Sequence, residues 1–329
     1  MPIQPLSNFL TLIKLADVSI TSSGGGVVNY VLRVTNAGGQ DATLDQFVDI
    51  LPGSPANASY VAGSSTFNGI AVSNPNISGQ TLTWSGTFLV PAGSIRDFQF
   101  RATLPGTPGT YSNSGYGKVL STQIDTTTLT SDNAPGTADV LVLSPPVLVK
   151  TFTPNAAPVN GAVTLSFTVT NPNAAYALSG VAFTDTFPVS PGQMSVASPP
   201  NASTSGCGSP IFSPVAGAAS ISFANGSIAA GGTCTISLRV QANTLGTYTN
   251  TTSTVTDSYG DVGAAASRVF TVTAQPSILK SFTADTIASG GTSVLAFDLT
   301  SNYSGGATTA IAFSDTFPAG MREIGRAHV

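Results

Sequence analysis

Apolar and polar residues alternate along several stretches of the chain, with a period of two residues. In 163–169, Val, Leu and Phe alternate with Thr and Ser, and 98–102 and 236–240 show the same alternation. This period predicts β-strands with one buried face, and no stretch keeps the 3.6-residue period of an amphipathic helix over three turns. Short strands between turns of Gly, Asn and Pro predict an all-β fold of tandem immunoglobulin-like β-sandwich repeats.

The chain also repeats itself. Residues 148–188 align without gaps to 278–318, and a more distant copy begins near Lys14. The lysine that opens each copy precedes an aspartate by 35 residues in all three copies. Joints that contain proline separate the copies, as is usual for tandem repeats. The predicted domains are a divergent first sandwich at 1–145, a second at 146–275 and a truncated third at 276–323.

Charged residues make up only 8% of the chain, against about 25% in an ordinary globular domain. Eleven Lys and Arg residues in 329 form no basic patch, which excludes a strong nucleic-acid binder. The single Glu and the single His, Glu323 and His328, both lie in the last seven residues. The tail 324–329, IGRAHV, resembles a translated sequencing adapter, and we expect it to be an artefact. Without His and Glu, the usual catalytic triads and zinc sites cannot be assembled, so we predict no enzyme, no cofactor and no metal.

Lys, Asp and Asn recur at equivalent places in the first two copies. A self-formed isopeptide crosslink needs these residue types: a buried, neutral Lys attacks the Asn side-chain carbonyl, a protonated Asp polarises that carbonyl, and ammonia leaves. The alternative is structural, with the Lys protecting a strand edge and the Asp and Asn bonded to turns. The sequence alone gives more weight to the structural alternative. The candidate sets are Lys150, Asp185 and Asn250, and Lys14, Asp49 and Asn113.

Two further groups of residues are candidates for a chemical or binding role. Cys207 and Cys234 are the only cysteines, and we predict a disulfide that pins the loop 190–215 to the strand 233–240. Three aromatic residues could line a carbohydrate-binding face, but a lone Trp in a sandwich is more often in the core, and we predict the core position. These residues are Tyr60, Trp84 and Phe88.

Several aspartates are spaced by four residues and are candidate calcium ligands. Calcium needs six to eight oxygen atoms from a rigid loop, and we interpret these residues instead as solvated turn carboxylates. They are Asp41, Asp45 and Asp49 in the first copy, and Asp257 and Asp261 in the second.

The order of Lys, Gly, alternating strand, Thr-Asn, Asp-x-x-Pro and Gly-Thr-Tyr-x-Asn resembles a large family of bacterial and archaeal surface repeats. It is the eleventh in a series of conserved repeat domains of unknown function. The resemblance covers nearly the whole chain and implies tandem arrays on secreted or cell-surface proteins, with no established catalytic residues.

The function that this resemblance implies is an extracellular stalk or spacer. The alternatives are an adhesin or carbohydrate-binding module, and an accessory region of a larger secreted enzyme. The expected partners are neighbouring repeats of the same chain and a cell-surface or carbohydrate ligand. No run approaches 18 apolar residues and the first residues form no signal peptide, so we predict no membrane span in this chain.

Overall fold

The computed structural model describes residues 9–120, 122–124, 137–301 and 311–325. The described residues contain strands and turns but no α-helix, which confirms the all-β prediction. Consequently, none of them belongs to a helix that could cross a membrane. Most of the tail predicted to be an adapter artefact lies outside the described residues.

The first part of the chain folds into two facing sheets, which we call the first sandwich (β1–β13). One sheet has the order β1-β3-β10-β6-β7 with β5 beside β10, and the other has the order β2-β13-β11-β4-β9-β8 with β12 beside β11. The strands are β1 Leu10–Ala16, β2 Ile20–Thr21, β3 Gly26–Asn36, β4 Ala42–Ile50, β5 Ser59–Tyr60, β6 Thr66–Phe67, β7 Ile70–Ala71, β8 Asn76–Ser78, β9 Thr81–Val90, β10 Ile95–Leu104, β11 Gly109–Val119, β12 Thr122–Ile124 and β13 Thr137–Val142.

The next part forms the second sandwich (β14–β25) with a matching arrangement. The order β14-β16-β21-β18 corresponds to β1-β3-β10, and β15-β25-β22 and β20-β17-β23-β24 make the opposite face. The strands are β14 Val147–Thr153, β15 Ala156–Pro158, β16 Val163–Thr170, β17 Leu178–Thr186, β18 Met194–Val196, β19 Ser203–Ser205, β20 Ser220–Ile228, β21 Thr233–Ala242, β22 Gly246–Thr251, β23 Val255–Thr256, β24 Val262–Gly263 and β25 Ser267–Thr273.

Each sandwich has its own hydrophobic core, because alternate residues of the long strands point between the two sheets. In β16, every second residue from Val163 to Val169 is buried, as its alternation predicts. The last described strands, β26 Ser277–Phe282 and β27 Leu295–Thr300, pair antiparallel and stay exposed or partly exposed.

Polar contacts join the two sandwiches. The Asn173 amide accepts a hydrogen bond from the backbone N–H of Ser144 (2.8 Å) and donates one to the Ser144 carbonyl (2.9 Å). The backbone N–H of Ser23 in the first sandwich donates to the Asp261 carboxylate in the second. These contacts fix the joint near the start of β14.

Candidate functional site

A Lys–Asp–Asn cluster lies inside the second sandwich. Lys150 lies on β14 in phase with the buried Leu148 and Phe152, so its side chain points into the core. Its Nζ donates to Asp185 Oδ2 on β17 at 2.8 Å, and both side chains are fully buried. Asn250 on β22 donates from Nδ2 to the same Oδ2 at 3.0 Å. The amine and the amide therefore meet on one carboxylate oxygen and bridge the two faces of the sandwich.

The first sandwich contains the same cluster. Lys14 on β1 donates to Asp49 Oδ2 on β4, and both side chains are fully buried. Asn113 on β11 is fully buried as well, and both polar atoms of its amide lack a hydrogen-bond partner. Gly115 lies opposite Asp49 in the β4–β11 pairing, and a Cβ at this position would lie 2.9 Å from Asp49 Oδ2. The glycine therefore leaves room for the carboxylate beside the amine.

Burial weakens the hold of both lysines on their protons. It lowers the pKa of Lys14 well below its usual value. It also lowers the pKa of Lys150 to about 8, because the cost of burying the charge exceeds the attraction of Asp185. A buried cation in contact with an aromatic ring and one carboxylate is expensive even when paired. A neutral amine, which is the nucleophilic form, is therefore accessible in both clusters.

The clusters also contain orphaned polar atoms. Asp49 and Asp185 each have an Oδ1 without a partner, and Asn250 Oδ1 and the whole Asn113 amide lack one too. Each such group costs about 1–3 kcal/mol when it is buried. The structural interpretation placed the lysines at sheet edges and the Asp and Asn in turns. Both lysines do lie on edge strands, but their side chains and those of the Asp and Asn are buried in the core.

A third Lys–Asp pair lies in the last part of the chain. Lys280 Nζ on β26 contacts both carboxylate oxygens of Asp315, at 2.7 and 2.8 Å. This pair is partly exposed, with 39% of the lysine and 23% of the aspartate side chain accessible. The Lys–Asp contact thus recurs wherever the 35-residue spacing does.

The sequence also matches a known family. The family described as "domain of unknown function (DUF7933)" matches residues 146–272 and again residues 276–327, together more than half of the chain. The chain belongs to this family. The first DUF7933 match contains the complete cluster of Lys150, Asp185 and Asn250, and the second contains Lys280 and Asp315.

Similarity to solved structures is low. The C-terminal domain of the antigen I/II-family protein AspA of Streptococcus pyogenes is 10% identical, with 79% of this chain and 99% of that chain covered and a TM-score of 0.45. The C-terminal domain of the antigen I/II polypeptide BspA of Streptococcus agalactiae is also 10% identical, with 80% and 100% covered and a TM-score of 0.47. We infer nothing about function from likenesses of this size. No curated protein matches the chain.

The disulfide lies in the first DUF7933 match. Cys207 and Cys234 are bonded, with their Cα atoms 4.6 Å apart. Cys234 lies near the start of β21, and Cys207 follows β19, which pairs with the same strand. The bond holds the long loop between β18 and β20 against the sheet.

The aspartates considered for calcium are distributed differently from the prediction. Asp41 accepts a hydrogen bond from the backbone N–H of Ala92 at a turn (2.9 Å). Asp49, Asp257 and Asp261 are buried, so their interpretation as solvated carboxylates was wrong. Asp49 belongs to the lysine cluster. Asp261 accepts a hydrogen bond from the first sandwich, and Asp257 accepts hydrogen bonds from the backbone N–H groups of its own turn. The described residues contain no group of three or more His, Cys, Asp or Glu side chains suited to a metal.

The three aromatic residues weighed for carbohydrate binding pack inward. Trp84 and Phe88 belong to the core of the first sandwich, and Tyr60 packs against it. The Trp84 indole N–H donates to Ser65 Oγ at 3.0 Å, and the Tyr60 hydroxyl shares that Oγ at 2.8 Å. These rings are therefore part of the core and do not form an exposed sugar-binding platform.

Proposed function

We propose that this chain is a non-catalytic structural module of a secreted or cell-surface protein, a stalk or spacer whose complete sandwiches each form an internal Lys–Asn isopeptide bond. The observation that carries the proposal is the buried Lys–Asp–Asn cluster at matching strand positions of both sandwiches. The Cys207–Cys234 disulfide supports an oxidising location outside the cytoplasm.

The second sandwich already holds the groups in reach of one another. Transfer of one proton from Lys150 Nζ to Asp185 leaves a neutral amine and a neutral carboxylic acid, which a buried site favours over two charges. When the Asn250 amide turns so that Oδ1 faces the acid, Asp185 can donate to it and polarise the carbonyl.

The reaction then needs no outside reagent. The lone pair of Lys150 Nζ forms a bond to Asn250 Cγ, and the Cγ–Nδ2 bond breaks as Nδ2 takes a proton from the amine by way of Asp185. The products are a secondary amide and ammonia, and nothing is oxidised or reduced. Asp185 ends the reaction as it began, so it acts as a general acid and base.

The position of the bond suits a load-bearing part. The chain enters the second sandwich at β14 and leaves it after β25, the strand that pairs with β22. A bond from Lys150 on β14 to Asn250 on β22 lets tension pass from one end to the other without crossing the residues between them. In the first sandwich, a bond from Lys14 on β1 to Asn113 on β11 does the same.

The proposal is tested by the intact mass of the reduced protein. Two bonds lower the mass by two ammonia molecules, and digestion yields two branched peptides, one joining Lys14 to Asn113 and one joining Lys150 to Asn250. Because Asn-Gly sequences can also lose ammonia by cyclising, the control is Lys150→Ala, which must restore one ammonia. A wild-type chain of full mass, or a deficit that persists in Lys150→Ala and Lys14→Ala, would overturn the proposal.

A further inference from the structure

One tyrosine of the first sandwich has a buried hydroxyl with no partner. Tyr30 lies on β3 and is fully buried, and its hydroxyl makes no hydrogen bond. Two other fully buried tyrosines are satisfied: Tyr111 donates to the carbonyl of Thr107 at 3.0 Å, and Tyr248 donates to that of Thr244 at 2.7 Å. Buried hydroxyls normally find a partner, so an exception needs an explanation.

The Tyr30 hydroxyl lies at the proposed crosslinking site. Lys14 Nζ is 4.9 Å from the centre of the Tyr30 ring. Burial raises the pKa of the Tyr30 hydroxyl, and the Asn113 side chain lies near enough to oppose that rise in part. The hydroxyl therefore keeps its proton, and the Asn113 amide, which has no hydrogen-bond partner, can turn its Oδ1 toward the hydroxyl. Contacts that catalysis requires are often long in the resting state and shorten only in the transition state.

We propose that Tyr30 is a catalytic residue of the first sandwich, donating a hydrogen bond to Asn113 Oδ1 as Lys14 attacks. This inference rests on the proposed isopeptide bond. As the bond from Lys14 Nζ to Asn113 Cγ forms, the carbonyl π electrons move onto Oδ1, and the Tyr30 O–H stabilises that charge. When the Cγ–Nδ2 bond breaks, the electrons return, ammonia leaves with a proton carried by Asp49, and Tyr30 is unchanged.

The second sandwich lacks this donor. In the first sandwich, Tyr30 pairs with Ala16, which lies two residues after Lys14. In the second sandwich, Leu165 pairs with Phe152, which lies two residues after Lys150. Leu165 therefore takes the place of the tyrosine and offers no hydroxyl. The two clusters also differ in how the amide is held, because Asn250 is bonded to Asp185 whereas Asn113 is unbonded. We infer that the first sandwich relies on Tyr30 and the second on Asp185 alone.

The test measures the rate of each linkage in the full chain. Newly made protein from a short cell-free synthesis is quenched in acid at intervals, reduced and digested, and the two branched peptides are quantified. We expect Tyr30→Phe to slow the Lys14–Asn113 linkage by about 10- to 100-fold, somewhat less than the loss of a dedicated oxyanion donor. The Lys150–Asn250 linkage in the same molecules should keep its rate.

Tyr111→Phe is the matched control, because it removes a buried hydroxyl from the same sandwich that is bonded to a backbone carbonyl. It should leave both linkage rates unchanged. An unchanged Lys14–Asn113 rate in Tyr30→Phe would overturn the role of Tyr30 and leave the proposed function intact, whereas no linkage in the wild type would overturn both.

Folding of Tyr30→Phe is checked by the fluorescence of the buried Trp84. If that variant fails to fold, all tyrosines of the otherwise wild-type chain are replaced by fluorotyrosine. Ring fluorine makes each hydroxyl more acidic and a stronger hydrogen-bond donor, and no hydroxyl is removed. The Lys14–Asn113 rate must then change relative to the Lys150–Asn250 rate, and equal behaviour of the two linkages would refute the inference.

Discussion

Replacing Asn113 with alanine removes the carbonyl that Lys14 would attack and leaves the first sandwich without its proposed bond. That bond closes a loop of about 100 residues, for which the chain-entropy model gives a stabilisation of about 5 kcal/mol. The amide that is lost makes no hydrogen bond of its own. We therefore expect the loss of stability to come mainly from the missing crosslink.

The loss of stability can be measured separately for the first sandwich. Trp84 is the only tryptophan of the chain and lies in the first core, with 2% of its surface exposed. Its fluorescence in a urea titration therefore reports the unfolding of that sandwich. Because the slope for small domains is about 1–3 kcal/mol per molar urea, a loss of 5 kcal/mol lowers the midpoint by roughly 2 M or more.

The matched control is Asn250→Ala, which removes the equivalent bond from the second sandwich. It should leave the Trp84 transition close to that of the wild type, since the tryptophan does not belong to the second core. If the Trp84 midpoint were the same in Asn113→Ala and the wild type, the first sandwich would have no crosslink of this strength, and the reasoning would be refuted.

Three further predictions concern buried polar groups and the disulfide. In Asn250→Ala, Lys150 keeps its amine with a pKa lowered to about 8 by burial. Between pH 8 and about 10.5, Lys150 is protonated in the unfolded variant but neutral in the folded variant. The free energy of unfolding of the variant should therefore rise by roughly 3 kcal/mol across that range. Urea titrations followed by circular dichroism should show this rise in the variant, but not in a wild type whose amine is consumed. Asp257→Asn should raise the melting temperature at pH 7. Burial, together with the charge of Asp261, raises the pKa of Asp257, and the stability of the wild type falls as pH rises through that pKa. Equal melting temperatures of variant and wild type at pH 7 would contradict this. Changing both Cys207 and Cys234 to alanine should cost about 3 to 4 kcal/mol for a loop of 27 residues, with both isopeptide linkages retained in the digest.

The pattern of the strands was readable from the sequence because each long strand buries one face. The same pattern also indicates that the polar residues of the clusters are buried. Lys150 is in phase with Leu148 and Phe152, Asp185 with Phe183, and Asn250 with Tyr248. A polar residue in phase with apolar neighbours is expected to point into the core. This phase predicts that the three side chains point into the core and not toward an edge or a turn.

Other features depend on contacts that no local pattern encodes. Asp257 and Asp261 lie in a turn that looks exposed in the sequence, and Asp261 is covered through Ser23, which lies 238 residues earlier in the chain. The alternation of β3 likewise predicts that Tyr30 is buried, but it does not predict what the hydroxyl contacts. Its relation to Asn113 arises only because β3 and β11 belong to facing sheets.

The energetics of the clusters give a reason for their composition in a chain with so little charge. Before reaction, each sandwich buries an amine, a carboxylate and an amide with several unpaired atoms. Such an arrangement stabilises the fold less than an apolar core of equal volume. In the proposed reaction, the amine and the amide become one neutral secondary amide, which has a single N–H to satisfy. The Asp that remains can accept that N–H. The proposed reaction would therefore reduce the number of unpaired buried polar groups and at the same time close a loop of about 100 residues.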